Sequence, residues 1–143
     1  DYGKALYGIT LVDVWKNVGQ TMIIYLAGLQ TIDDSVLESA EMDGCTGWQA
    51  IRHVKIPLLA PSITINVILN VINGLKAFDY PFIMTNGGPG DSTNTLMFSI
   101  YKMAFTEQQF GKAAAFSVVS FIVIIAITAV LLVFMSKKES EME

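Results

Sequence analysis

The chain has 143 residues, with nine Lys and Arg against thirteen Asp and Glu for a net charge of −4, and 52% of it is hydrophobic while only 15% is charged. Soluble domains carry about 25% charged residues, and the mean hydropathy here is +0.50, so a membrane-embedded chain is expected. The acidic balance without a basic block argues against nucleic-acid binding; a lone Cys45 excludes an internal disulfide and a cysteine-based metal cluster, and a lone His53 removes most metal sites and weakens any histidine-based triad.

In chain order, residues 9–29 form the first weak span. Ile9, Leu11, Val12, Val14, Val18, Ile23, Ile24, Leu26 and Leu29 are interrupted by Asp13, Lys16, Asn17 and Gln20. A charge at mid-bilayer costs about 2.5–3.5 kcal/mol, so two offset the apolar gain. Asp13 and Lys16, three apart on a helix, either pair or sit near the outer headgroups; in both cases the span needs neighbours rather than lipid all round.

Residues 31–61 are mostly polar. Asp33, Asp34 or Ser35 caps a short helix running through Met42, with Glu38 and Glu41 in its early turns and Gly44 ending it. Pro57 and Pro61 punctuate the return to a second weak span over residues 62–78, where Pro61 suits a first helical turn. Asn66, Asn70 and Asn73 follow i, i+4, i+7 and share one helical face, and Asp13, Asn17 and Gln20 repeat that spacing in the first span. Two such stripes read as walls of a water-filled path or as interhelical hydrogen-bond glue.

Residues 79–112 hold the turn cluster Asn86-Gly87-Gly88-Pro89-Gly90, which lacks the Gly-Lys-Ser/Thr ending of a phosphate loop. Asp91, Ser92 or Thr93 caps a helix around 95–105 whose Met97, Ile100, Tyr101 and Ala104 lie on one side, as in a helix along the membrane interface or an ordinary surface helix. Residues 113–135 carry no charge, and fourteen of them are Leu, Ile, Val or Phe. As a helix this run reaches about 34 Å, enough for a hydrocarbon core of about 30 Å. Lys137 and Lys138 stop it at an interface; the alternative is a buried core helix, which needs a large surrounding protein.

The fold class is therefore an all-α polytopic transmembrane bundle of three spans with a short loop helix and an interfacial helix. Charge gives no orientation: Arg52, Lys55, Lys137 and Lys138 on one side balance Lys4, Lys76, Lys102 and Lys112 on the other. No catalytic set, metal set or cofactor motif emerges. His53 lies in a polar loop, the serines lack a Gly-x-Ser-x-Gly elbow, and Glu38, Glu41 and Asp43 crowd one short helix as a docking surface would.

Glu38-Ser39-Ala40, three residues, Gly44, nine residues, then Val54-Lys55-Ile56-Pro57 resembles the EAA loop of binding-protein-dependent ABC importer permeases. That pattern is Glu-Ala-Ala, three residues, Gly, nine residues, Ile-x-Leu-Pro; Ser39, Val54 and Ile56 depart from it with the spacing intact, and Asp43-Gly44 and Pro57-Leu58-Leu59 extend it. Leu29-Gln30-Thr31-Ile32, Thr85-Asn86-Gly87-Gly88-Pro89 and Phe110-Gly111-Lys112-Ala113-Ala114-Ala115 are similar to the carbohydrate-uptake branch. The resemblance covers nearly the whole chain as the C-terminal half of such a permease. A start at Asp1 without an initiator methionine agrees with a piece of something longer.

The resemblance implies an ATP-driven sugar or oligosaccharide importer of the cell membrane. Its partners would be an ATPase dimer that hydrolyses ATP, a second permease subunit and an extracytoplasmic solute-binding protein. Loop 31–61 would be cytoplasmic and loop 79–112 extracytoplasmic. The helix carrying Glu38, Ser39, Ala40, Asp43 and Gly44 would dock on the ATPase, with Glu38 facing an arginine there, Ser39 and Ala40 letting the helix seat closely and Gly44 turning the chain away. Asn70, Gly74 and Ala77 fall near the family's sugar-contacting positions. Gly74 and Ala77 are not polar, so solute contacts shift to Asn66, Asn70 and Asn73, faced by Asp13, Asn17 and Gln20; amides both donate to and accept from hydroxyls. The rivals are the same architecture for a polyol or glycerol phosphate, and a membrane scaffold that transports nothing.

Overall fold

The structure is a computed structural model that describes residues 2–45 and 47–140. Among them it is helical, without strands. Helix α1 spans Tyr2–Gln30, α2 Asp34–Met42, α3 Trp48–Leu58 and α4 Ala60–Leu75. A π-helical turn at Pro81–Thr85 leads to α5, Leu96–Tyr101, which runs on as a π-helical turn over Lys102–Thr106, and α6 spans Phe110–Ser140.

Among the described residues one helix, Phe110–Lys138 within α6, has both the length and the apolarity to cross a membrane alone, with a mean hydropathy of 3.1. Only 6% of its apolar stretch is buried by the rest of the chain. Three of its hydroxyls are satisfied within the helix: Ser117, Ser120 and Thr128 donate to the carbonyls of Ala113, Phe116 and Ile124 at 2.9, 2.6 and 2.7 Å. This back-bonding pairs each of the three in an apolar surrounding.

Helix α1 starts seven residues before the expected span, and Asp13, Lys16, Asn17 and Gln20 keep it below the apolarity of α6. Asp13 and Lys16 do not pair. Asp13 accepts from Asn17 Nδ2 at 3.0 Å, and Lys16 Nζ stands 5.3 Å from the centre of the Tyr80 ring, a cation–π contact.

Helices α3 and α4 meet at a bend of 64°. Pro61 has no N–H for the Pro57 carbonyl four residues back, and its ring crowds the residue before it, so that rung of the helical ladder is missing and the backbone turns at Leu59 (φ −85°, ψ −2°). The middle of α3, Ile51–Lys55, is a π-helical turn.

The chain divides into two compact units, Asp1–Asn17 with Asn70–Ala129 and Val18–Leu69 with Val130–Glu143. In the first, Phe78, Phe82, Phe98 and Tyr101 form an aromatic cluster with centroid separations of 5.1–6.4 Å, and Phe98 is 4% exposed. The loop over it is closed by polar contacts: Thr93 Oγ1 donates to the Gly88 carbonyl at 2.9 Å and lies 2.7 Å from Thr85 Oγ1.

The cap of α5 departs from expectation. Thr95, not Asp91, Ser92 or Thr93, accepts from the Phe98 N–H at 3.3 Å and donates to the Ala77 carbonyl at 2.6 Å. The other candidates are engaged or turned elsewhere, Asp91 by Lys102 at 3.3 Å and Thr93 by the turn. Met97, Ile100, Tyr101 and Ala104 are all half-buried.

Candidate functional site

Helix α2 belongs to the second unit, and both of its ends are built locally. Asp33 is the N-cap, its Oδ1 accepting from the Ser35 N–H at 2.9 Å. That backbone hydrogen bond, with the Ser35 hydroxyl behind it, holds the Asp33 carboxyl below the usual carboxylate range. At the other end Gly44 (φ +81°) is left-handed, its N–H donates to the Glu41 carbonyl at 3.0 Å, and the Cys45 N–H reaches the Ala40 carbonyl at 2.9 Å. This is a Schellman stop, with the adjoining Ala40 buried and Cys45 half-buried. Gly44 therefore ends α2 through a backbone conformation that L side chains rarely adopt.

One prediction concerns this cap. A carboxylate with a depressed folded pKa contributes stability above its unfolded pKa of about 3.8, lost as pH falls through the lower folded value. Asp33→Ala is expected to speed amide exchange at Ser35 and Val36 several-fold near neutral pH. The difference from the parent chain should shrink in strong acid, read by hydrogen exchange.

The faces of α2 differ. Ala40 is buried and Leu37 half-buried, so that side seats on the chain itself. Ser35, Glu38, Ser39 and Met42, at i, i+3, i+4, i+7, are exposed and, with Glu41, line an open hollow. Ser39 Oγ donates to the Ser35 carbonyl at 2.8 Å. Among the described residues no ion pair engages Asp34, Glu38, Glu41 or Asp43. Met42 at 89% and Trp48 at 72% exposure add apolar surface near this acidic face. Sequence reading missed both, although the spacing from Ser35 to Met42 carried the signal for the first.

The structure separates the polar stripe. Asn66 is 2% exposed and its Nδ2 donates to the Thr21 carbonyl of α1 at 3.4 Å, whereas Asn70 and Asn73 are exposed. Asn17 Nδ2 donates to both the carbonyl and Oδ1 of Asp13, at 2.9 and 3.0 Å, so these two are joined within one turn. Gln20 is exposed on α1. No group of three or more metal-ligating side chains occurs among the described residues.

The sequence pattern of the binding-protein-dependent transport system inner membrane component family matches residues 3–138. The chain is similar to the probable starch degradation products transport system permease protein AmyD of Thermoanaerobacterium thermosulfurigenes, 32% identical over 136 residues, 95% of this chain and 47% of the relative. It is 39% identical over 134 residues to the multiple sugar-binding transport system permease protein MsmF of Streptococcus mutans, 94% of this chain and 46% of the relative. It is 32% identical over 132 residues to the trehalose/maltose transport system permease protein MalF of Thermococcus litoralis, 90% of this chain and 43% of the relative. The chain thus spans about half the length of these curated relatives.

Proposed function

We infer the role of this chain from the family it belongs to, the inner membrane components of binding-protein-dependent transport systems, and propose that it is part of a permease subunit of an ATP-driven importer for a sugar or oligosaccharide. Relatives named for starch degradation products, multiple sugars and trehalose or maltose support the solute class. In this reading the chain is multi-pass: α1, α4 and α6 cross the membrane, the loop carrying α2 faces the cytoplasm, and residues 79–112 face outward. The partners are an ATPase dimer, a second permease subunit and an extracytoplasmic solute-binding protein. The permease does no chemistry itself.

The observation that carries the proposal is α2. It is nine residues long, capped at both ends, and presents an acidic outward face on which no carboxylate has an ion-pair partner among the described residues. A helix that is rigid at both termini and unpaired in charge suits docking into a cationic cleft of a separate motor. Closure of that motor on ATP would shift the loop and bias the bundle between inward- and outward-open states, by as much as the motor's contacts differ between the two.

The solute path is assigned to Asp13, Asn17, Asn70 and Asn73, with Gln20 continuing the stripe of the first helix. Amide side chains match sugar hydroxyls as both donors and acceptors. The test is ATP-dependent uptake of labelled maltose, trehalose and maltotriose by the intact transporter in proteoliposomes with its binding protein. The parent transports at least one of them. Asn70→Ala and Asn73→Ala each lower uptake about tenfold, as loss of a hydrogen bond worth ~1.4 kcal/mol would, with assembly unchanged. Full uptake of every solute by both variants removes these residues from the path.

A further inference from the structure

Inside the second unit, α1 and α4 touch along a seam that the transport reading does not use. Asn66 is nearly sealed from solvent, and its amide donates to the backbone carbonyl of Thr21 in the middle of α1. Ser62 lies four residues before Asn66 on α4, and Gly28 lies seven after Thr21 on α1, so each pair occupies one helical face, while Leu59 stands at the bend just before α4. At Gly28 the α1 backbone lies against side chains of the other segment: a Cβ added there would meet Ser62 Oγ and would stand 2.9 Å from Ser62 Cβ and 3.0 Å from Leu59 Cδ2. Leu59 is also the residue at which α3 turns by 64° into α4. The close approach at Gly28 therefore sits directly on the bend, and the Asn66 hydrogen bond pins the helix one turn further along.

A bend at a broken ladder is the natural place for the chain to flex, because the hydrogen bond that would stiffen it is missing. Here the inner side of the bend is filled. Gly28 leaves no slack against Ser62 and Leu59, and the Asn66 amide resists sliding along α1. We propose that Gly28, Ser62 and Asn66 are positioning residues for energy coupling: they clamp the α3–α4 bend to α1, so that displacement of the α2 loop passes into both helices as one body instead of being absorbed at Leu59. This rests on the reading of the chain as part of an ATP-driven permease. None of the three residues needs to touch solute or motor for it to hold.

The test uses the complete transporter and measures solute molecules imported per ATP hydrolysed, a ratio that a merely structural loss leaves unchanged because fewer assembled complexes lower both quantities together. Gly28→Ala, which wedges the seam, and Asn66→Ala, which unpins it, keep stimulated ATP hydrolysis but lower the ratio about fivefold or more. The double variant Gly28→Ala/Ser62→Gly, which makes room for the added methyl, restores the ratio. Should Gly28→Ala fail to assemble, Ser62→Gly alone opens the seam without a wedge and must lower the ratio. Variants in which uptake and hydrolysis fall in proportion, or a Ser62→Gly variant with the parental ratio, overturn the clamp. Failure of the underlying reading looks different: the parent transporter itself shows no ATP-dependent uptake.

Discussion

Glu38→Lys in the intact transporter is expected to reduce uptake about 100-fold or more while leaving the amount of subunit in the membrane unchanged. The two halves of that expectation have separate causes. Glu38 is exposed in the second turn of α2, and no ion pair among the described residues engages it. A surface substitution of that kind shifts the stability of the subunit by no more than about 0.5 kcal/mol. In the proposed complex the same carboxylate is desolvated against a cation of the motor. Reversing its charge replaces attraction by repulsion at a buried contact, for which losses of about 2–5 kcal/mol are usual. The measurement pairs uptake with the stimulation of ATP hydrolysis by solute-loaded binding protein, and both should fall. An opposite reversal on the motor surface should restore part of each. Parental uptake by Glu38→Lys with membrane levels intact would remove α2 from the coupling path and leave its acidic face without a role.

What the sequence made legible was local chemistry. Helix α2 emerged with its Met42 end, its Gly44 stop and its cap among three candidates, of which Asp33 is the one, because each is set by residues within a few positions: a carboxylate two residues before an N–H, a glycine where the backbone must turn left-handed. The apolar run of α6 was equally plain, since twenty-three uncharged residues need no partner to declare themselves. Features fixed by distant parts of the chain were not legible. Thr95 rather than Asp91 caps α5 because the Ala77 carbonyl, eighteen residues back, holds the threonine hydroxyl in place. Pro57 and Pro61 announced an interruption, but not the 64° bend, the π-helical turn before it, or the packing of Leu59 and Ser62 against Gly28. The asparagine stripe illustrates the same limit. Spacing places Asn66, Asn70 and Asn73 on one face, yet only the structure shows α1 covering the first while the other two stay exposed. Periodicity assigns faces, and neighbours decide what each face meets.

Gly87→Val is expected to disrupt the loop over the aromatic cluster, and the physical reasons compound. Gly87 has φ +81°, a region that costs an L residue about 1–2 kcal/mol and a β-branched one more. A Cβ there would approach Phe98 Cε1 to 2.5 Å, Cδ1 to 3.2 Å and Cζ to 3.3 Å. The ring cannot withdraw easily, because Phe98 is 4% exposed and held among Phe78, Phe82 and Tyr101. Nor is the glycine free to move: its N–H donates to the Pro81 carbonyl at 3.1 Å, and its own carbonyl accepts from the Thr93 N–H at 3.3 Å. Overpacking a filled core adds about 1–3 kcal/mol, so the total penalty is roughly 2–5 kcal/mol, set against the native turn of the loop. Protease cleavage between residues 81 and 95 should therefore become at least tenfold faster in the variant, each ~1.4 kcal/mol of local opening being a factor of ten. Gly87→Ala should lie between the two, since it meets the same ring with less bulk. The control is Gly8→Ala, in a helix and with nothing within 4 Å of the added methyl, where the replacement is expected to stabilise by about 0.5–1 kcal/mol. If Gly87→Val instead resists cleavage as the parent does, the Phe98 ring has room that its neighbours deny it in this structure, and the packing of the cluster is looser than its ring separations require.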